Sequence, residues 1–114
     1  MAYRKEKINN LIRDEVGKIL HHNLDLDTDA LVTVIRTVVS EDLNHVRIYI
    51  SVFPSQFAEE SLAQINKNIY FLQQILNKKL KIHPVPKMFF VIDKTEEKAA
   101  EVEKLIENVK EKIE

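Results

Sequence analysis

Ser40, Asp42 and His45 fall close together in the chain, and a hydroxyl, a carboxylate and an imidazole are the parts of a nucleophilic triad. A working triad also needs a pocket and an oxyanion site. Three such residues inside one turn are instead expected to hydrogen-bond the backbone around them. Metal ligation meets a similar objection. His21 and His22 are adjacent, so on a helix their side chains diverge by about 100°. His45 and His83 have no neighbour at ligand spacing, and the chain has no cysteine. The single glycine, Gly17, is too few for a phosphate-cradling P-loop or a dinucleotide fingerprint. The chain is therefore expected to be no enzyme, and to take no cofactor, metal or small-molecule substrate.

What remains is recognition of a polyanion. The net charge is only −1, but it is spread unevenly. Residues 66–94 hold six lysines against Asp93 alone, a balance of +5, and residues 1–20 stand at +2. Residues 21–65 stand at −5 and residues 95–114 at −3. Local potential, rather than total charge, steers a phosphate backbone. The candidate RNA contacts are Arg4, Lys5, Lys7 and Arg13 in the first basic block, and Lys67, Lys78, Lys79 and Lys81 in the second. Lysines also decorate helix exteriors without any partner, so charge alone leaves RNA binding and a solvated surface both open. Tyr49 and Phe53 offer ring faces on which bases can stack. For two isolated aromatics, packing beneath a helix is the stronger expectation.

These side chains must be held by a fold that 114 residues can build as one domain. Ile8, Leu11, Ile12, Val16, Ile19 and Leu20 recur at three- and four-residue steps, predicting an amphipathic helix over 3–20. Leu31–Val39 is rich in Val, Ile and Thr and predicts a strand. After the turn residues Ser40–Asn44, Val46, Ile48, Ile50 and Val52 alternate with Arg47, Tyr49, Ser51 and Phe53. That two-residue period predicts a half-buried strand pairing back on the first. With Ser55 as N-cap, a second apolar stripe from Ala58 to Leu80 predicts a long helix over about 57–80. Met88–Ile92 is continuously apolar, as a central strand buried on both faces would be, with Pro86 just before it. Thr95 opens a last helix whose apolar side is Val102, Leu105, Ile106, Val109 and Ile113. The expected fold is α+β: a single two-layer domain with a three-stranded sheet, residues 1–94 forming the core and 95–114 a C-terminal helix of the same domain. Nothing in the charged N-terminus resembles an export signal, and no apolar run approaches the roughly 20 residues that span a bilayer. With no cysteine, a reducing cytoplasm is the simpler home.

The string Ile8-x-x-Leu11-Ile12-x-x-Glu15-Val16-x-x-Ile19-Leu20 resembles the opening helix of the ribosome-binding factor A family. Val32-Thr33-Val34-x-Arg36, followed by Ser40-x-Asp42-Leu43-x-x-Val46-x-Ile48-Tyr49-Ile50-Ser51, is similar to that family's hairpin. Leu72-x-x-x-Leu76-x-x-x-Leu80-x-Ile82 and Val85-Pro86-x-Met88-x-Phe90-x-x-Asp93-x-Thr95 resemble its third segment. The similarity runs across about residues 4–106. It implies a type-II KH-like domain, and a role on the free 30S small ribosomal subunit late in assembly, near the 5′ end of 16S rRNA. It implies help with rRNA processing, notably in the cold, and release before translation. It also implies a kink inside the long helix, an Ala-x-Gly in place of the GXXG loop of KH domains. Here those positions read Asn68-Ile69-Tyr70. Asn tolerates unusual backbone angles, so a bend at Asn68 and a straight helix both stay open, and Asn68 joins the candidate RNA contacts.

Two functions follow. One is a monomeric ribosome-biogenesis factor that contacts rRNA through its first helix and the Lys67–Lys81 block. The other is a small protein-interaction or dimerisation module, with the acidic C-terminal helix as its partner surface and the lysines merely solubilising.

Overall fold

The computed structural model describes residues 2–26 and 29–94. The C-terminal helix expected over 95–114 lies outside the described residues. The elements are α1 (Ala2–Asn23), β1 (Leu31–Val39), β2 (His45–Phe53), α2 (Ala58–Lys67), α3 (Ile69–Lys79) and β3 (Lys87–Ile92). Both expected strands of the hairpin form. The second stripe forms as two helices rather than one, because the chain leaves helical geometry at Asn68, with φ −104° and ψ 13°. Ser55 does not cap α2 but opens a 3₁₀ turn, Ser55–Phe57, that leads into it.

The sheet runs in the order β1-β2-β3. β1 and β2 pair antiparallel, and β2 and β3 pair parallel, the α2–α3 segment supplying the crossover that parallel strands need. The hairpin register shifts between Val34 and Arg36. Ile35 is thus the extra residue of a β-bulge, which turns the strand by one position. Before the bulge Val32 and Val34 face the helices; after it Thr37 and Val39 do, opposite Ile48 and Val46.

The three described α-helices cover one face of the sheet. Ile12, Ile48, Ile50, Ile65, Leu72 and Leu76 are wholly buried between the layers, and each contributes about 1.5–3 kcal/mol relative to exposure. No described element covers the other face, which corrects the expectation for Met88–Ile92. β2, not β3, is the central strand, and β3 alternates: Met88 and Phe90 are buried while Phe89 and Val91 are 45% and 36% exposed. A continuous apolar run fits an edge strand as well as a central one when half of its side chains form a surface. In α1, Leu11 falls outside the buried stripe and is 42% exposed.

Each sheet edge is closed by an amide side chain from a helix. On β1, Asn9 of α1 accepts from Val39 N–H through Oδ1 at 2.8 Å, and its carbonyl accepts from Thr37 Oγ1 at 2.7 Å. On β3, Gln73 of α3 accepts from Met88 N–H at 2.9 Å and donates to the Pro86 carbonyl at 3.1 Å. These bonds satisfy backbone groups that an edge strand otherwise leaves unpaired, and they lock α1 and α3 in place over the sheet.

Candidate nucleic-acid interface

α1 does not gather its four candidate cations on one face. Arg4 and Arg13 are nine residues apart, which at 100° per residue sets them on opposite sides of the helix. Arg4, Lys7 and Arg13 are exposed. Lys5 is not free: its ammonium lies 2.7 Å from Glu41 Oε1 in the β1–β2 turn. That hydrogen bond, helped by the charge of Lys5, holds the Glu41 carboxyl below the usual carboxylate range. Arg13 Nε stands 3.7 Å from Asp14 Oδ1 in an exposed pair, worth little in water. With Lys18, His21 and His22 it lines a shallow groove of about 480 Å³ beside Gly17 and the start of β1.

The break at Asn68 is the most distinctive local geometry. Asn68 N–H donates to the carbonyls of Gln64 and Ile65 at 3.2 and 3.1 Å, and its side-chain Nδ2 donates to Gln64 O at 2.9 Å. The asparagine thus caps the end of α2 with its own amide, a role that neither Ile69 nor Tyr70 can play. The first bond of α3 runs from Leu72 N–H to Asn68 O at 3.0 Å. The N–H groups of Ile69, Tyr70 and Phe71 precede it, where a helix has no internal acceptor for them. Such a helix start favours an anion, and exposed Lys67 stands beside it. Tyr70 and Phe71 are 76% and 53% exposed at the same place. Sequence reasoning passed over these two aromatics, although both fall off the line Ile65, Ile69, Leu72, Leu76 that marks the buried side.

Lys78 and Lys79 occupy the last turn of α3, and Lys81 follows buried Leu80. All three lysines are exposed. α3 is 11 residues long, which puts them about 16 Å from the Asn68 break at 1.5 Å per residue. The second basic block is therefore two sites at the ends of one helix.

The turn residues behave as turn residues. Ser40 Oγ donates to Asp42 Oδ1 at 2.6 Å and accepts from His45 N–H at 3.1 Å, while Asn44 N–H donates to the same Asp42 oxygen at 3.1 Å. These bonds hold the Asp42 carboxyl below its usual range and bind a turn in which Leu43 takes φ 61°. Among the described residues no group of three or more His, Cys, Asp or Glu is placed to hold a metal ion, and no helix is long and apolar enough to cross a membrane.

Tyr49 and Phe53 do not pack beneath a helix. They lie on the open face of the sheet, because every odd position of β2 points away from the helical layer. Phe53 is 75% exposed. The Arg36 guanidinium sits 4.0 Å above the Tyr49 ring, and 3.9 Å from Asp93 Oδ2.

A family model described as ribosome-binding factor A matches residues 4–106. The ribosome-binding factor A of Clostridium botulinum (strain Okra / Type B1) is 28% identical over 111 residues, which cover 96% of this chain and 92% of that one. That of Clostridium perfringens (strain SM101 / Type A) is 27% identical over 113 residues, covering 96% and 97%. The crystal structure of ribosome-binding factor A from Thermus thermophilus superposes with a TM-score of 0.68 at 17% identity, over 77% of this chain and 94% of that one. A homology model of the Thermus thermophilus factor, fitted into a cryo-electron-microscopy map of a 30S–RbfA complex, gives 0.60 at 17% identity, over 75% and 90%. The shared architecture is a small KH-like α+β domain.

Proposed function

The chain belongs to the ribosome-binding factor A family, and from that premise we propose that it binds the free 30S subunit during late maturation and assists 16S rRNA processing. It acts in the cytoplasm as a monomer and catalyses no reaction; its core over residues 1–94 contacts the RNA, and its loss is felt most in the cold. The single observation that carries this is the Asn68 break: a helix start whose first N–H groups have no helical acceptor, next to Lys67 and at the residues where the resemblance puts the family's kink. An RNA backbone threading this break meets the N–H donors of α3 first and the Lys78, Lys79 and Lys81 ammoniums beyond its far end. Arg4, Lys7 and Arg13 on α1 give further contacts to neighbouring phosphates. Such groups position a backbone without reading bases, so choice of particle comes from RNA shape. The relative fitted into a 30S–RbfA complex supports the choice of partner.

A sucrose gradient of lysate, probed for the tagged protein, tests this. Co-sedimentation with free small subunits and their precursors is expected, with little on joined ribosomes or large subunits. Replacing Lys78, Lys79 and Lys81 together by Glu should abolish it while the circular dichroism spectrum is kept. Affinity should also fall with salt, at a log–log slope of about −0.7 to −0.9 per neutralised phosphate. Equal occupancy of all ribosomal peaks, or a flat salt response, sinks the proposal and favours a protein-interaction module.

A further inference from the structure

We propose that the open face of the sheet is a second RNA surface, on the opposite side of the molecule from the Asn68 break, which takes unpaired bases of a single strand on its aromatic rings. It rests on the proposed function only for the class of nucleic acid that the protein meets.

The strand register lays out the face. Arg47 of β2 is the partner of Phe89 on β3, and Tyr49 is the partner of Val91 on one side and Arg36 on the other. Tyr49 and Phe89 are therefore diagonal neighbours, about 7 Å apart, within reach of successive bases of an extended strand. Phe53 stands four residues further along β2, about 13 Å from Tyr49 at the rise of a strand. All three rings are held by backbone pairing, so no loop must be ordered before a base can stack. Phe89 has one flank against the His45 ring, 5.6 Å between centroids, and keeps 45% of its surface exposed. The guanidinium over Tyr49 is planar, and such planes take bases as rings do.

Charge decides between occupants. Arg36, Arg47 and Lys87 all point to this face; no strand position on it holds a carboxylate, and Asp93, just beyond β3, is taken up by Arg36 at 3.9 Å, leaving Arg47 and Lys87 as its uncompensated cations. Neither Arg47 nor Lys87 makes an ion pair among the described residues. A second copy of the chain would set these cations against themselves, since a two-fold interface opposes a patch to its own image. The core of a protein interface takes arginine and aromatic rings but is depleted in lysine, and Lys87 shares this face. Single-stranded RNA supplies what the face lacks: phosphates for the cations and flat apolar rings for the aromatics. Duplex RNA buries its bases and would use the cations alone.

The test is titration of the full chain with fluorescently labelled eight-nucleotide oligouridylate and oligoadenylate, and with a duplex of equal length, read by anisotropy. Single strands should bind more tightly than the duplex. Phe53→Ala and Phe89→Ala should each weaken single-strand binding by about tenfold, the range of one lost base stack. Both side chains are surface rings, so thermal midpoints should stay close to that of the unaltered protein. Since the chain has no tryptophan, Phe89→Trp provides a lone reporter that should keep the affinity and be quenched when the strand stacks on it. Ring variants that bind as the unaltered protein does, or an unquenched tryptophan, overturn the inference even if the small-subunit gradient succeeds. Equal affinity for duplex overturns it too, as does self-association in sedimentation that Phe53→Ala abolishes. Loss of subunit binding with oligonucleotide stacking intact would instead strike only at the proposed function.

Discussion

Gln73 on α3 and Met88 on β3, 15 residues apart, are joined as if the side chain were one more strand: Met88 N–H donates to Gln73 Oε1 at 2.9 Å, and Gln73 Nε2 returns a bond to Pro86 O at 3.1 Å. A second Nε2 bond, to Asn77 Oδ1 at 3.1 Å, orients the amide along the helix. Gln73→Leu keeps the bulk but orphans both backbone groups. Leaving a part-buried donor unpaired costs about 1–3 kcal/mol. Urea denaturation should show that loss, with faster amide exchange at Met88. An unchanged midpoint would mean that water replaces the amide without cost.

Asn68→Ala removes the bond to Gln64 O that finishes α2. Alanine favours a continuous helix by about 0.5 kcal/mol, so helical circular dichroism should rise slightly. Affinity for free small subunits should fall, because the N–H groups of Ile69, Tyr70 and Phe71 would turn inward to helical acceptors. Unchanged affinity counts against any use of the break.

Gly17 sits inside α1 with open space around it: an added Cβ would meet no atom within 4 Å. Its backbone is helical. Gly17→Ala should therefore stabilise the fold by about 0.5–1 kcal/mol through helix propensity and a less free unfolded chain. A rise in the thermal midpoint checks this.

Glu41 and Asp42 both have carboxyls held below their ordinary values of 4.5 and 3.8, the first by Lys5 and the second by Ser40. The unfolded chain then binds more protons than the folded one, so their contribution favours folding above these values. It is lost as pH falls below about 4.5. Denaturation midpoints between pH 6 and pH 3 should decline less steeply in Asp42→Ala and in Lys5→Met than in the unaltered protein.

How much of this was legible from residues alone varies by element. α1 and the hairpin are local products of periodicity: Ile8 to Leu20 spell a helix, and Val46 to Val52 spell one buried face, whatever lies around them. The resemblance to ribosome-binding factor A was carried by the same local strings, and the family match over residues 4–106 bears it out. The single glycine and the absent cysteine removed whole classes of chemistry before any fold was known. The apolar stripe through Ile65, Ile69 and Leu72 left bend and straight helix equally open, because one residue out of register does not disturb a four-residue period.

Tertiary structure decided the rest. Residue order makes Met88–Ile92 look central, but only pairing shows that β2 holds the middle and that Phe89 and Val91 are surface. Alternation says that Tyr49 and Phe53 share a face; it cannot say which face the helices choose. Nor does charge counting show that Lys5 is held by Glu41, 36 positions away. A sequence states which side chains share a side of a helix or strand, since that follows from backbone geometry within a few residues. Which side meets solvent, and which charges find partners, depends on contacts between distant segments, and those exist only once the layers have packed.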